Sequence, residues 1–112
     1  MSDKPDHAME IDDLLQMLWV KNYPILIERL TSIRNTKDML NESSLDDRAR
    51  KAGEEAAHKL AGILGTFGLP HGSVLASKIE ALLAGDASTC VRRAGELSSW
   101  VQELEAVIAS RT

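Results

Sequence analysis

His58 opens a stretch in which three glycines fall within ten residues: His58-Lys59-Leu60-Ala61-Gly62-Ile63-Leu64-Gly65-Thr66-Phe67-Gly68. An imidazole at a protein surface can move a proton, capture an electrophilic group at a ring nitrogen, or bind a metal. Metal binding is disfavoured, because His7, His58 and His71 are far apart and no His pair is spaced by three or four. The stretch reads as one amphipathic helix whose buried face carries Ala52, Ala56, Leu60, Ile63 and Phe67, spaced by three and four. His58 lies two residues from both Ala56 and Leu60, about 200° around the helix from each, so its ring should face solvent. Its neighbours on that face are Glu54 a turn before, then Ala61, Gly62 and Gly65. Each glycine inside a helix is ~1 kcal/mol worse than alanine. Gly62 and Gly65 therefore call for a reason, and clearing the surface beside His58 for an approaching protein supplies one.

These residues resemble the histidine-containing phosphotransfer (HPt) domains of bacterial two-component signalling. That family's pattern is a histidine, a glycine four residues on and another ten residues on, matched here by His58, Gly62 and Gly68. The run Gly65-Thr66-Phe67-Gly68 is similar to the phosphotransfer domain of chemotaxis histidine kinases. The resemblance implies an antiparallel up-down four-helix bundle with the acceptor histidine on its second helix. It implies a phosphocarrier and not an enzyme: His58 would accept a phosphoryl group from a receiver-domain aspartate, or from a kinase, and pass it to another receiver aspartate. The partner would be a response-regulator receiver domain, with a hybrid histidine kinase as a further candidate, and would supply the catalytic acid and metal; no cofactor is implied. Chemotaxis-kinase domains carry a glutamate twenty-two residues after the histidine that orients the ring. Glu80 holds that position here, on a polar line with Ser73 and Ser77. One departure is plain: Ala61 stands where family members commonly carry lysine, and Lys59 lies ~100° away from His58 on the helix. The alternative is a helical interaction module that binds a signalling partner through the same surface without being phosphorylated.

Four helical segments must position these groups. The first is expected from Glu10 to Asn35, with Ile11, Leu15, Trp19, Ile27, Leu30 and Arg34 near one stripe. Pro24 would kink it or start a new helix, and a kink is favoured because Trp19, Tyr23 and Ile27 keep a four-residue spacing across it. The polar stretch Thr36 to Ser43 reads as irregular. Ser44 or Asp46 would cap the second helix, which ends near Gly68 in a left-handed residue. Pro70 suits the first turn of the third helix, which turns Leu75, Ile79 and Leu82 inward and stops at Gly85. Asp86 or Ser88 would cap the fourth, whose inward stripe is Val91, Ala94, Leu97, Val101, Leu104 and Ile108. Short connections make sequential helices antiparallel neighbours.

Composition bounds the rest. A chain of 112 residues is one domain, divided into a flexible lead-in at 1–9 and a helical domain at 10–112. Hydrophobic residues make up 44% and aromatic ones 4%, which suits aliphatic helix packing, and hairpin signals are nearly absent. A net charge of −4 argues against nucleic acid as partner. No apolar run approaches a membrane span. The single Cys90 excludes an internal disulfide, and Met1 to Asp6 lacks a signal core; both favour the cytoplasm.

Overall fold

A computed structural model describes the backbone of residues 3–111 and the side chains of residues 10–111. Five helices follow one another: α1 (Asp3–Asn41), α2 (Asp47–Thr66), α3 (Pro70–Leu83), α4 (Ala87–Arg92) and α5 (Ala94–Arg111). No strand occurs among the described residues, so the chain is all-α.

Cross-helix contacts give the directions of the four long helices. Moving forward along α2, Arg50 donates to the carbonyls of Leu83 and Gly85, His58 meets Glu80, and the carbonyl of Ala61 accepts from Ser73 Oγ. The α3-side partners fall in number as the α2 residues rise, which is an antiparallel pair. α1 against α5 behaves likewise: Gln16 meets Arg111, Arg34 pairs with Glu105, and Asn41 meets Ser98. α1 and α2 join through Thr36 with Ala49 and through Trp19 with Phe67. His71 with Glu103 and Lys78 over the Trp100 ring set α3 against α5. The four form a closed antiparallel ring around Leu26, Ile33, Leu60, Leu64, Leu75, Ile79, Leu97 and Leu104.

Capping explains the starts. Asp46 accepts from Ala49 N–H at 2.8 Å and opens α2; Asp86 accepts from Thr89 N–H at 2.7 Å and opens α4. That amide bond holds the Asp86 carboxyl below the usual carboxylate range. Gly68 takes φ +71, the left-handed conformation that ends α2, and Pro70 stands in the first turn of α3. Arg50 satisfies the orphan carbonyls at the end of α3 from across the bundle.

Several expectations need correction. α1 is a single helix through Pro24, so no new helix begins there. It also runs six residues past Asn35, because Thr36 and Leu40 are buried against the bundle; the stretch 36–43 is helical as far as Asn41. Residues 3–9 of the lead-in carry helical backbone continuous with α1, while Met1 and Ser2 lie outside the described residues. The inward stripe of α1 is Trp19, Leu26, Leu30, Ile33 and Leu40; Ile11 is 57% exposed, and Leu15 and Arg34 are exposed as well. At ~1.5 Å per residue, α1 is ~58 Å long and α2 ~30 Å, and among the described side chains of its first half Ile11, Leu14, Leu15, Met17 and Leu18 are exposed.

On α2, Ala52 is exposed and Gly53, Ala56, Ala57, Leu60 and Leu64 are buried, with Ile63 and Phe67 half-buried. The helix is sandwiched by α1 and α3, so its buried arc is broader than one stripe. The expected fourth helix is interrupted at Arg93, which leaves Val91 64% exposed and turns Cys90 into the core. Arg93 itself is held by Glu96, at 2.7 Å, and by the face of Trp100.

Candidate functional site

His58 stands midway along α2, its side chain 71% exposed. Burial of Ala56, Ala57 and Leu60 fixes the roll of the helix and thereby turns position 58 outward. Ring Nδ1 lies 2.9 Å from Glu80 Oε2 on α3. Glu80 is aimed there because Leu75, Ile79, Leu82 and Leu83 anchor the other side of α3 in the core. A carboxylate can only accept, so Nδ1 carries the hydrogen and donates it. The neutral ring then keeps its free lone pair on Nε2, the nitrogen turned away from α3. An exposed nucleophile with a fixed tautomer results.

The glycines leave space as their positions suggest. A Cβ on Gly62 would meet nothing within 4 Å, and one on Gly65 would meet only Ser73 Oγ, at 3.6 Å. Thr66 Oγ1 returns to the Gly62 carbonyl at 3.0 Å, which keeps this last turn closed despite the missing side chains. Ala61 is half-buried, rolled toward α3, where its carbonyl accepts from Ser73 at 2.8 Å. Lys59 reaches back one turn to Glu55 at 2.9 Å, and that hydrogen bond lowers the Glu55 pKa below its ordinary value.

Two depressions flank His58. On the α3 side, Lys51, Glu54, Glu55 and Glu80 surround the ring with mostly carboxylates. On the α1 side lies a groove lined by Ile25, Arg29, His58, Lys59, Gly62, Ile63 and Thr66. Ile25 and Arg29 are the residues that sequence reasoning missed. They sit four apart on the flank of α1 that meets α2, and the only signal for them was that spacing, read on a stripe centred elsewhere. No group of three or more His, Cys, Asp or Glu side chains that could hold a metal ion occurs among the described residues.

The other singled-out residues lie apart from this site. His71 Nε2 meets Glu103 at 2.8 Å on the α5 side of α3. Trp19 is buried against Phe67, ring centroids 5.3 Å apart, with the Arg111 guanidinium over its face. Cys90 is buried, and desolvation pushes its thiol pKa up. No helix among the described residues is long and apolar enough to cross a membrane.

Comparison with known proteins adds three findings. The family model described as "Hpt domain" matches residues 13–110. Protein RcaC of Microchaete diplosiphon is 29% identical over 90 residues, which cover 75% of this chain and 14% of that protein. The chain thus spans about a seventh of the length of the curated relative it matches. No solved structure matches.

Proposed function

The chain belongs to the Hpt domain family, whose members are phosphocarriers in phosphorelay signalling, and we propose that His58 is its phosphoryl-accepting residue. The observation that carries this is the pairing of a 71% exposed imidazole with Glu80 at 2.9 Å through Nδ1. Nε2 attacks the phosphorus of an aspartyl phosphate on a receiver domain. The P–N bond forms as the acyl P–O bond breaks, and the aspartate leaves as a carboxylate with that electron pair. Nδ1 keeps its hydrogen, so the positive charge developing on the ring is met by Glu80. The reverse step delivers the phosphoryl group to another receiver aspartate. The acid and the divalent metal of the exchange belong to the receiver, and Gly62 and Gly65 leave room for it to close over His58.

The test is incubation with a receiver domain charged by acetyl phosphate, followed by assay of acid-labile phosphate on the chain. Wild type gains label on His58; His58→Gln gains none while keeping its helical signal and its melting temperature, since surface substitutions stay within about 0.5 kcal/mol. Label retained in His58→Gln, or a receiver that binds wild type without ever transferring phosphate, overturns the assignment. The second outcome would leave an interaction module, a reading to which the alanine at position 61 lends weight.

A further inference from the structure

We propose that Arg29, reaching in from α1, is the cation that receives the phosphoryl group on His58, and that the groove between α1 and α2 is the phosphoryl-holding side of the site. This inference rests on phosphoryl acceptance by His58. The geometry begins with the ring. Nδ1 is committed to Glu80 on α3, and the two nitrogens of an imidazole point to opposite flanks, so a group on Nε2 projects away from α3. On the side it leaves stand Glu54 and Glu80, which repel a phosphoryl dianion, while Glu55 lies between the two flanks, bound to Lys59. On the side it enters stand Arg29 and Lys59, with Gly62 giving open space along the groove floor.

Of those two cations, Lys59 is already engaged by Glu55 at 2.9 Å. Arg29 makes no ion pair among the described residues. It is half-buried, and its Nε is shut off from solvent without a hydrogen-bond partner. A guanidinium held at its base by packing and in no ion pair, with Glu55 acting on it only at longer range, has its donors in reserve for an anion, and its planar fork suits a phosphoryl group's oxygens. The position also answers a vacancy in the chemistry of α2, where Ala61 turns a methyl group toward α3 and places no charge beside the ring. The cation comes from a different helix.

The phosphoryl group itself is the probe. The 112-residue chain is phosphorylated with a charged receiver, the receiver is removed, and the 31P resonance of the phosphohistidine is titrated with pH. A nearby cation favours the dianion and lowers the titration midpoint. Arg29→Ala and Arg29→Gln are expected to raise that midpoint by ~0.5–1 unit, Arg29→Lys to restore most of the difference, and Lys59→Ala to change it little. The transfer equilibrium should shift toward the receiver by about tenfold in the two uncharged variants, as one lost charge-assisted contact on the product predicts. A loss of packing alone leaves the midpoint of a phosphate on another helix where it was. A midpoint unmoved in folded Arg29→Gln, or moved by Lys59→Ala instead, overturns the role of Arg29. A wild-type chain with no P–N resonance at all would instead refute His58 as acceptor.

Discussion

At the residue scale, the proposed acceptor site divides into what would orient the ring and what would clear its approach. Glu80 contacts the ring and Gly62 leaves open space one turn on, and the two lie on different flanks of His58. Gly62→Leu separates them. The new side chain enters open space and leucine is the better helix former, so thermal stability should hold or rise slightly, by ~0.5–1 kcal/mol. Phosphoryl transfer from a charged receiver should fall at least tenfold, because the bulk lies one turn from the nucleophile on the docking face. Equal transfer rates for the variant and wild type, with the melting temperature recorded alongside, would mean that the glycine does not clear a path. The relation of His58 to Gly62 could be read in the sequence, since both lie on one helix a fixed turn apart. Glu80 was legible only by family resemblance. Arg29 showed only its four-residue spacing from Ile25, and nothing in a helix's own pattern says which neighbour will face its flank.

At the element scale, the close approach of α1 and α2 hangs on one position that periodicity hides. Gly53 is buried against Thr36, and a Cβ there would lie 2.4 Å from Thr36 Oγ1. Thr36 cannot readily rotate away, because its hydroxyl is tied to the carbonyl of Ser32 at 3.0 Å. Gly53→Ala should therefore destabilise the fold by ~1–3 kcal/mol despite its better helix propensity. Thermal denaturation reads this directly, and pairing the change with Thr36→Ser, which removes the opposing Cγ2 methyl, should recover part of the loss. Amphipathic spacing did locate the helices that bear the site, and residue type narrowed the caps to Ser44 or Asp46 and to Asp86 or Ser88, of which Asp46 and Asp86 serve, and marked the left-handed Gly68. It misplaced what tertiary contact decides: the extension of α1 through a polar stretch that packs on α2, and the interruption at Arg93 that turns Cys90 inward and Val91 out.

At the scale of the whole molecule, charge decides how a receiver arrives. Around His58 the three cations Arg29, Lys51 and Lys59 are matched by the three carboxylates Glu54, Glu55 and Glu80. The surface around His58 is close to neutral, and the long-range field is set by the net charge of −4. Toward a receiver with an acidic metal pocket this is mild repulsion, so the association rate should rise modestly as salt screens it. Stopped-flow mixing between low and moderate ionic strength measures the slope. A steep fall would show that an attractive basic surface guides docking. Shape has a consequence of its own. The molecule measures 63 × 20 × 19 Å, and its four long helices lie up and down along the long dimension. Helical amide N–H bonds run nearly parallel to their axes. A residual dipolar coupling depends on the square of the cosine to the alignment axis, so it does not distinguish up from down. In a weakly aligning medium the amides of α1, α2, α3 and α5 should crowd together at one extreme of the coupling range. The amides of residues 42–46, between α1 and α2, should scatter, and the point where the crowding stops would mark the end of each long helix.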